Sequence, residues 1–259
     1  MKKLIRKIFQ ALGYDIVKIS PPPRTVHSRE LILHETTTGK YYLPSGAGAD
    51  LVAQSIIANG IFEKEVVDLA AKYIRKNTAV LDIGSNFGQM SILFSQMTGE
   101  SGKVYSFDAD SFIFEILKKN IEINNRKNIF PTFGAVHNKS GEELFFPQQD
   151  FVEFQTYGAY GIDYNSSKGR KVTSITIDSL NIPEEISFMK IDIQGGDLQA
   201  MQGAVETIKK NRMPIIFEYE YHFEDKFKLN FQEYVDFVAS INYKFEKVIN
   251  GHNFLILPR

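Results

Sequence analysis

Residues 79–94, "AVLDIGSNFGQMSILF", decide the fold of this chain. An apolar run that carries Asp82 near its end gives way to a turn with Gly84, Asn86 and Gly88, and then to a segment with helical apolar spacing. A strand, a tight turn and a helix in this order are typical of a nucleotide-binding crevice in an α/β sheet. The acid near the strand tip raises the question of which ligand would favour a carboxylate there.

Glycine spacing and charge narrow the choice of ligand. The dinucleotide fingerprint needs G-x-G-x-x-G, which this turn does not match, and Asp82 would repel a pyrophosphate. S-adenosylmethionine (SAM) carries an ammonium and a sulfonium but no phosphate, and Asp108, ending the next predicted strand, can accept hydrogen bonds from ribose hydroxyls. The alternative is structural: Asp82 caps the helix and Asp108 starts a turn. The predicted cofactor-binding residues are Asp82, Gly84, Ser85, Asn86, Gly88, Asp108, Ala109 and Ala135.

Strand and helix signals alternate along most of the chain. Buried strands are predicted at residues 79–83, 103–108, 129–136, 186–193 and 213–220, with further strands at 142–147 and 170–177. Helices are predicted at residues 62–76, 86–97, 111–124, 197–210 and 231–241. Asn250-Gly251 indicates a type I′ turn and therefore a terminal antiparallel hairpin. Parallel strands joined by helices predict an α/β sheet that is covered on both faces.

The N-terminal region reads differently. We predict a small cap region over residues 1–60 and one domain over residues 61–259. Residues 4–12 form an amphipathic helix that docks on the body or on a second subunit of a homodimer; a membrane-surface helix is the alternative. A proline-rich linker follows at residues 20–24, then a hairpin that turns at Thr38-Gly39.

Composition excludes several classes of protein. The 259 residues carry 30 Lys plus Arg and 31 Asp plus Glu, so the chain has no excess of basic residues for binding nucleic acid, and we predict no nucleic-acid partner. The lack of cysteine excludes disulfides, thiolate zinc sites and a cysteine nucleophile. Since no apolar run is long enough to span a bilayer, we predict a cytoplasmic protein without stable membrane insertion.

The chain resembles the FkbM family of SAM-dependent methyltransferases. The resemblance rests on "VLDIGSNFGQMSILF", "GKVYSFDADSFIFEILKKNIEINN", "FGAVHNKSGEELFF", "TSITIDSL" and "MKIDIQGGDLQAMQGAVETI", which follow in order over roughly residues 60 to 220. It implies a Rossmann-like class I methyltransferase fold: a seven-stranded mixed sheet whose last strand is antiparallel, with helices on both faces. It also implies O-methylation of hydroxyl groups on sugars or other secondary metabolites.

Two positions depart from the family pattern. Asp108-Ala109 stands where the family usually has Glu-Pro, which is conservative for ribose binding. Residues 194–197, "QGGD", stand where the family usually has Glu-Gly-Ala-Glu, so the first acid is replaced by Gln194.

Candidate catalytic residues lie at the ends of the fourth and fifth predicted parallel strands. An alcohol is a weak nucleophile, so a general base or a metal ion should assist it. We predict Asp192, Glu218, His222 and Lys190 as catalytic, and Asp192, Glu218 and His222 as ligands of Mg²⁺ or Mn²⁺. The alternative is that His222 is a solvated loop residue and that Lys190 merely pairs with an acid.

Residues 150–171 form a long loop rich in tyrosine and glycine, with a basic end. Tyr157, Tyr160 and Tyr164 can stack on a sugar or a base, and Arg170 can bind a phosphate. We predict that this loop forms the acceptor pocket for a nucleotide-linked or surface-glycan sugar, although a polar surface loop is the alternative.

Other functions remain open at this stage. A methyltransferase acting on nitrogen or nucleic acid, a nicotinamide-dependent oxidoreductase and a non-catalytic binding protein on the same fold are the competing hypotheses. The sequence leaves the acceptor and its hydroxyl position unassigned.

Overall fold

The structure is a computed structural model that describes residues 30–146, 156–163 and 166–259. Within these ranges the strands are β1 (Leu31–Glu35), β2 (Lys40–Pro44), β3 (Ala79–Ile83), β4 (Lys103–Asp108), β5 (Ile129–Phe133), β6 (Ala135–Val136), β7 (Glu143–Phe146), β8 (Arg170–Ile175), β9 (Ile186–Ile191), β10 (Ile215–Glu218), β11 (Tyr243–Ile249) and β12 (Asn253–Pro258). The helices are α1 (Leu51–Ile57), α2 (Lys64–Tyr73), α3 (Gln89–Thr98), α4 (Ser111–Ile123), α5 (Asp197–Gln202), α6 (Val205–Asn211), α7 (Phe223–Phe227) and α8 (Phe231–Ser240).

Seven strands form the main sheet in the order β11-β12-β10-β9-β3-β4-β5. Neighbouring strands from β10 to β5 are parallel, whereas β12 runs antiparallel to both β10 and β11. The predicted seven-stranded mixed sheet with an antiparallel last strand is therefore confirmed. Every residue of β3, β9 and β10 is buried, as expected for central parallel strands covered on both faces.

Helices cover both faces of this sheet because the strand residues alternate between two cores. Val80 and Phe188 pack in one cluster with residues of α2, α3 and α4. Leu81 and Met189 pack in the other with residues of α5, α6 and α8. Successive side chains of a strand point to opposite faces, so a residue's position in the strand decides which core it joins.

The terminal hairpin turns as predicted. Asn250 and Gly251 have φ values of 52° and 83°, and a type I′ turn needs positive φ at both central residues. This turn joins β11 to β12 and brings β12 back between β11 and β10.

Two predicted elements are interrupted in the structure. The predicted helix over residues 197–210 is two helices, α5 and α6, broken where a Cβ on Gly203 would lie 2.0 Å from the main-chain oxygen of His137. The predicted strand over residues 129–136 is split at Gly134, whose N–H donates to the main-chain oxygen of Asp108 at 3.1 Å. Its second part, β6, joins β8 and β7 in a separate small sheet.

Side-chain amides tie the β1–β2 hairpin to the main body: Asn124, just after α4, accepts from the Lys40 N–H and donates to the Lys40 oxygen, at 2.9 and 2.6 Å, and Asn120 of α4 binds the neighbouring residue. Asn120 accepts a hydrogen bond from the Tyr42 N–H at 2.6 Å, and its amide donates to the Tyr42 and Phe87 oxygens at 3.2 and 2.9 Å. Tyr41 and Leu43 join the core on the same face as α4. The predicted helix at residues 4–12 and the linker at 20–24 lie outside the described residues, so the cap region, its boundary near residue 60 and the homodimer stay predictions. None of the helices in the described ranges has the length and apolarity needed to cross a bilayer.

Candidate functional site

A cavity of about 560 Å³ opens at the carboxyl ends of the central strands. This volume suits a small-molecule ligand, and the position is where open α/β sheets bind their ligands. Because the strands lie in the order β4, β3, β9, β10, the cavity wall presents Asp108, Gly84, Asp192 and Glu218 in that sequence. At about 4.8 Å per strand, the cavity extends roughly 14 Å from the Asp108 end to the Glu218 end.

The Asp108 end is built around the tight turn after β3. Gly84 has φ of 85°, and a Cβ there would lie 1.8 Å from the Asp192 main-chain oxygen, so glycine is required. The N–H groups of Gly84 and Ser85 both donate to the Phe107 oxygen, at 3.0 and 2.9 Å. Gly88 does not line the cavity; it begins α3 where a Cβ would meet the Leu117 side chain at 2.6 Å.

Asp108 lies at the end of β4 with its carboxyl group turned to this turn. One oxygen accepts from the Asn86 N–H at 3.0 Å and the other from the Asp110 N–H at 2.8 Å. Burial raises the pKa of Asp108 to about 7. The two hydrogen bonds favour the charged form and offset part of that rise. Each carboxylate oxygen still has a lone pair for a hydroxyl donor on the cavity side.

An apolar wall continues the cavity beyond Asp108. Ala135, Phe146 and Ile162 line it and belong to the core cluster of the small sheet, against which Ala109 packs. An apolar surface beside a carboxyl group suits a ligand with a flat ring attached to a hydroxylated part.

The prediction for Asp82 needs correction. Asp82 is fully buried, does not line the cavity, and accepts a hydrogen bond from Ser91 on α3. It shares its strand face with Val80, which packs toward the helices, so its side chain lies beneath the cavity floor. Burial raises the pKa of Asp82, while the Lys190 ammonium opposes that rise.

At the Glu218 end, the buried Lys190 side chain links the turn after β3 to Asp192. Its Nζ donates to the Gly84 oxygen at 3.1 Å and lies 3.4 Å from Asp192 Oδ2. Burial alone would lower the pKa of Lys190, but nearby carboxylates, chiefly Asp192 and Asp82, raise it. Its ammonium is therefore held charged and bonded to both partners, and the predicted catalytic role of Lys190 stays a prediction.

Gln194 joins the two carboxyl groups that the sequence singled out. Its φ of 58° is left-handed, and its Nε2 donates to Asp192 Oδ1 and to Glu218 Oε2, both at 3.0 Å. Burial tends to raise the pKa of Asp192, but Lys190 and Gln194 bring it below the usual range. The amide at position 194 thus replaces the family's acid with a donor that suits two acids.

Glu218 differs from Asp192 in its protonation state. Burial, followed by the charges of Asp192 and Asp197, raises the pKa of Glu218 to about 11. Asp197 accepts the Glu218 N–H at 3.1 Å, and its own pKa is raised to about 7, mainly by burial. Near neutral pH, Asp192 is therefore ionised while Glu218 holds a proton.

Glu63 and His252 complete this end of the cavity and were missed by the sequence reasoning. His252 Nε2 lies 3.3 Å from Glu63 Oε1 and 4.0 Å from Glu218 Oε1. Glu63 precedes α2, and His252 follows the hairpin turn before β12. The predicted Asn250-Gly251 hairpin was the signal that could have found His252, because β12 pairs with β10 and sets Asn253 opposite Glu218.

The predicted metal set of Asp192, Glu218 and His222 is not brought together. Within the described ranges, the His, Asp and Glu side chains close enough to share an ion are Glu63, Glu218 and His252. The His222 side chain is 66% exposed and lies 3.2 Å from Glu220, at the cavity rim. The chain leaves β10 at Glu218, so the strand alternation assumed for His222 has already ended.

The 156–162 segment supplies another wall of the cavity. Asp50, ahead of α1, accepts hydrogen bonds from Thr156 Oγ1, the Tyr157 N–H and the Gly158 N–H at 3.2, 2.7 and 3.1 Å. Tyr160 also lines the cavity. This part of the predicted acceptor loop therefore lies at the site.

Tyr157 lines the cavity as well, whereas Arg170 does not. The buried Tyr157 ring packs against Phe87 and Phe112, with ring centroids 6.1 and 5.9 Å away. Arg170 lies outside the cavity lining and binds Asp110 through two hydrogen bonds of 2.6 and 2.8 Å, which corrects its predicted role. Tyr164 lies outside the described residues.

Comparison with known proteins identifies a family. The "Methyltransferase FkbM domain" matches residues 82–245. No curated protein matches the chain significantly.

Solved structures that resemble the chain include methyltransferase FkbM from Methylobacillus flagellatus KT, at 14% identity and a TM-score of 0.46, covering 70% of this chain and 43% of that one. A protein from Streptococcus mutans, provisionally named a methyltransferase and solved in complex with SAH, has 13% identity and a TM-score of 0.45 over 74% of this chain and 94% of that one. A SAM-dependent methyltransferase from Aquifex aeolicus has 13% identity and a TM-score of 0.39 over 75% and 87%. Because the matched residues make up more than half of the chain, the chain belongs to the FkbM methyltransferase family.

Proposed function

From this family membership we propose that the protein transfers the methyl group of SAM to a hydroxyl group of a sugar, nucleotide-linked or part of a surface glycan, or of a related metabolite. The observation that carries the proposal is the continuity of one cavity. It joins a hydroxyl-accepting Asp108 end to a Glu218 end where an ionised carboxylate, Asp192, faces the same space.

The residues at the Asp108 end fit SAM. Asp108 can accept the ribose hydroxyls, and the apolar wall at Ala109 and Ala135 can receive the adenine ring. The required glycine at position 84 keeps the floor free of side-chain atoms, so the backbone can approach the methionyl part. When bound, SAM supplies an electrophilic methyl group on a sulfonium and leaves as S-adenosylhomocysteine (SAH).

Asp192 is the base that the geometry supports best. Its side chain is 21% exposed toward the cavity, and Lys190 and Gln194 fix its two oxygens. It accepts the proton that the acceptor hydroxyl loses as the acceptor oxygen bonds to the methyl carbon and the carbon–sulfur pair passes to sulfur. Holding the hydroxyl in line beside Asp192 is the larger part of the catalysis.

The chemistry of the Glu218 end favours a polyhydroxyl acceptor. Asp192, Glu218 and Glu63 offer oxygen atoms that accept hydrogen bonds from sugar hydroxyls. The cationic side chain predicted to bind a phosphate, Arg170, pairs with Asp110 instead. These contacts support the sugar itself more than a linked diphosphate.

Calorimetric titration with SAH, beside NAD, tests the donor. We expect SAH binding to wild-type protein and at least about a tenfold loss in Asp108→Ala, since a hydrogen bond to a charged group contributes about 1.5–3 kcal/mol. Asp68→Ala is the matched control, because that carboxylate forms only an exposed ion pair with Lys64. Preferential binding of NAD, or equal SAH affinity in Asp108→Ala, would overturn the donor assignment.

Methyl transfer from labelled SAM to free and nucleotide-linked sugars tests the reaction. With any accepted sugar, Asp192→Asn should lower kcat while leaving SAH affinity within about twofold, because its charge acts on the acceptor proton. SAH binding without turnover on hydroxylated acceptors would favour the non-catalytic alternative.

A further inference from the structure

Three side chains at the Glu218 end form a compact group, and none of them takes the proton in the proposed methyl transfer. Glu63, Glu218 and His252 each offer one ligand atom, and these atoms all lie within 4.8 Å of one another. The Glu63 and Glu218 side chains are each only 9% exposed, and that of His252 is 35% exposed.

The measured spacings suit a shared ion. Ligand atoms that bind one ion at about 2.0–2.2 Å lie roughly 3–4.4 Å apart. His252 Nε2 is 3.3 Å from Glu63 Oε1 and 4.0 Å from Glu218 Oε1. The 3.3 Å contact is a hydrogen bond between His252 and Glu63, which a bound ion would replace while the residues keep nearly these spacings.

Two side-chain amide groups orient the carboxyl groups of Glu63 and Glu218 through hydrogen bonds. Asn253 Nδ2 donates to Glu63 Oε1 at 2.7 Å, and Gln194 Nε2 donates to Glu218 Oε2 at 3.0 Å. Each amide uses one oxygen of its carboxyl group and leaves the other. Hydrogen-bonded partners of this kind orient ligand side chains at metal sites.

One oxygen of the group lacks a hydrogen-bond partner among the residues that the structure describes. This atom, Glu63 Oε2, is buried, and the Glu63 side chain is nine-tenths buried. An unsatisfied buried carboxylate oxygen is costly in free energy, so this atom calls for a partner. Lys190, the buried ammonium nearby, is already bonded to Gly84 and Asp192.

We propose that Glu63, Glu218 and His252 bind a divalent cation of the class that takes mixed oxygen and imidazole ligands, such as Mn²⁺ or Zn²⁺. The cation gives the free Glu63 oxygen the partner that it lacks. In this ligand set Glu63 and His252 take the places that the sequence analysis gave to Asp192 and His222. Asp192 therefore stays available as the base.

A role for the cation rests on the proposed function. Three protein ligands leave coordination positions for two neighbouring hydroxyls of a sugar, beside Asp192. A bound cation would then hold the acceptor hydroxyl and lower its pKa. Cation binding itself does not require the methyl-transfer proposal.

Electron paramagnetic resonance of Mn²⁺ tests the site in the full chain after chelator treatment. We expect one Mn²⁺ per chain in wild-type protein and weaker binding by at least about tenfold in Glu63→Gln and in His252→Asn. Spin-echo modulation from one imidazole nitrogen should appear in wild type and disappear in His252→Asn.

Glu65→Gln is the matched control. Glu65 lies in the first turn of α2, two residues from Glu63, and loses the same charge on the same cavity wall. We expect its Mn²⁺ affinity within about twofold of wild type, because a charge outside the group acts only through screened attraction. An equal loss in Glu65→Gln and Glu63→Gln, or no nitrogen modulation in wild type, would overturn the proposal.

SAH titration of the same samples separates the two proposals. SAH binding without specific Mn²⁺ binding would contradict the cation site and leave the donor assignment standing. Mn²⁺ binding without SAH binding would contradict the donor assignment and leave the cation site standing. If Glu63→Gln does not fold, the nitrogen signal in wild type and its absence in His252→Asn decide the matter.

Discussion

The two ends of the cavity are built from different kinds of contact. At the Asp108 end, main-chain N–H groups of Gly84, Ser85 and Asn86 make most of the bonds, within one turn and its neighbouring strand. At the Glu218 end, the bonds run between side chains: an ammonium, two amides, several carboxyl groups and an imidazole.

This difference sets what each end tolerates. Main-chain contacts do not depend on side-chain identity, so the Asp108 end is sensitive mainly to Cβ atoms and to the state of one carboxyl group. Buried charges at the Glu218 end depend on each other, because removing one partner leaves the other charge uncompensated. We therefore expect single charge changes to affect stability most at the Glu218 end.

The largest effect is expected for Lys190→Met, which removes the buried ammonium beside Asp192 and Asp82. Loss of one partner of a buried pair costs about 3–5 kcal/mol, so the free energy of unfolding in urea should fall by that order. Lys171→Met is the control: its exposed pair with Glu143, at 2.9 Å, should cost about 0.5 kcal/mol or less. Equal losses in the two variants would mean that the Glu218 end does not rely on buried charge.

A smaller effect is expected at the Asp108 end, as a pH dependence. The ionised carboxylate is the better acceptor for ribose hydroxyls, and the Asp108 pKa is about 7. SAH affinity should therefore rise about tenfold between pH 6 and pH 8, by linkage to one proton. Asp108→Asn should bind SAH weakly with a nearly flat profile in calorimetry at both pH values; a wild-type-like slope would contradict the assignment.

Stability should respond to the same group in the opposite direction. The Asp108 pKa is raised from 3.8 to about 7, so the native state holds a proton that the unfolded state releases. Its stabilising contribution is complete below about pH 4 and is lost as pH rises through about 7. Urea unfolding of Asp108→Asn should lose this part of the pH dependence.

The smallest effect is expected for Arg170→Gln, which lies outside both ends. Arg170 pairs with Asp110 through two hydrogen bonds and is 31% exposed, so its loss should lower the unfolding free energy by about 1 kcal/mol. SAH affinity and acceptor KM should stay within about twofold of wild type. A selective rise in acceptor KM would instead restore the sequence-based prediction that Arg170 binds the acceptor.

The contrast also explains what could be read from the sequence. The residues of the Asp108 end follow one another along two adjacent strands, so strand order and a glycine turn were enough to predict Gly84, Asn86 and Asp108 at one cavity. Asp82 was misplaced because the sequence does not say which face of a strand its side chain takes. Packing of α3 against that face decides it.

The Glu218 end depends on contacts between distant segments. Asp192 and Glu218 were found because each ends a buried strand, and both line the cavity. Glu63 and His252 are 189 positions apart and meet only because β12 inserts between β10 and β11. No local pattern encodes that insertion, so His222, near Glu218 in sequence, was chosen in place of His252.

Asp50 carries a consequence for the rate at which ligands exchange. One oxygen of its carboxyl group caps α1 by accepting the Ala53 N–H at 2.9 Å, and the other holds three donors of the 156–162 wall. Withdrawal of that wall and fraying of α1 therefore draw on a single side chain. We therefore expect loss of the Asp50 carboxyl group to change both the stability of the start of α1 and the time that a bound molecule stays in the cavity.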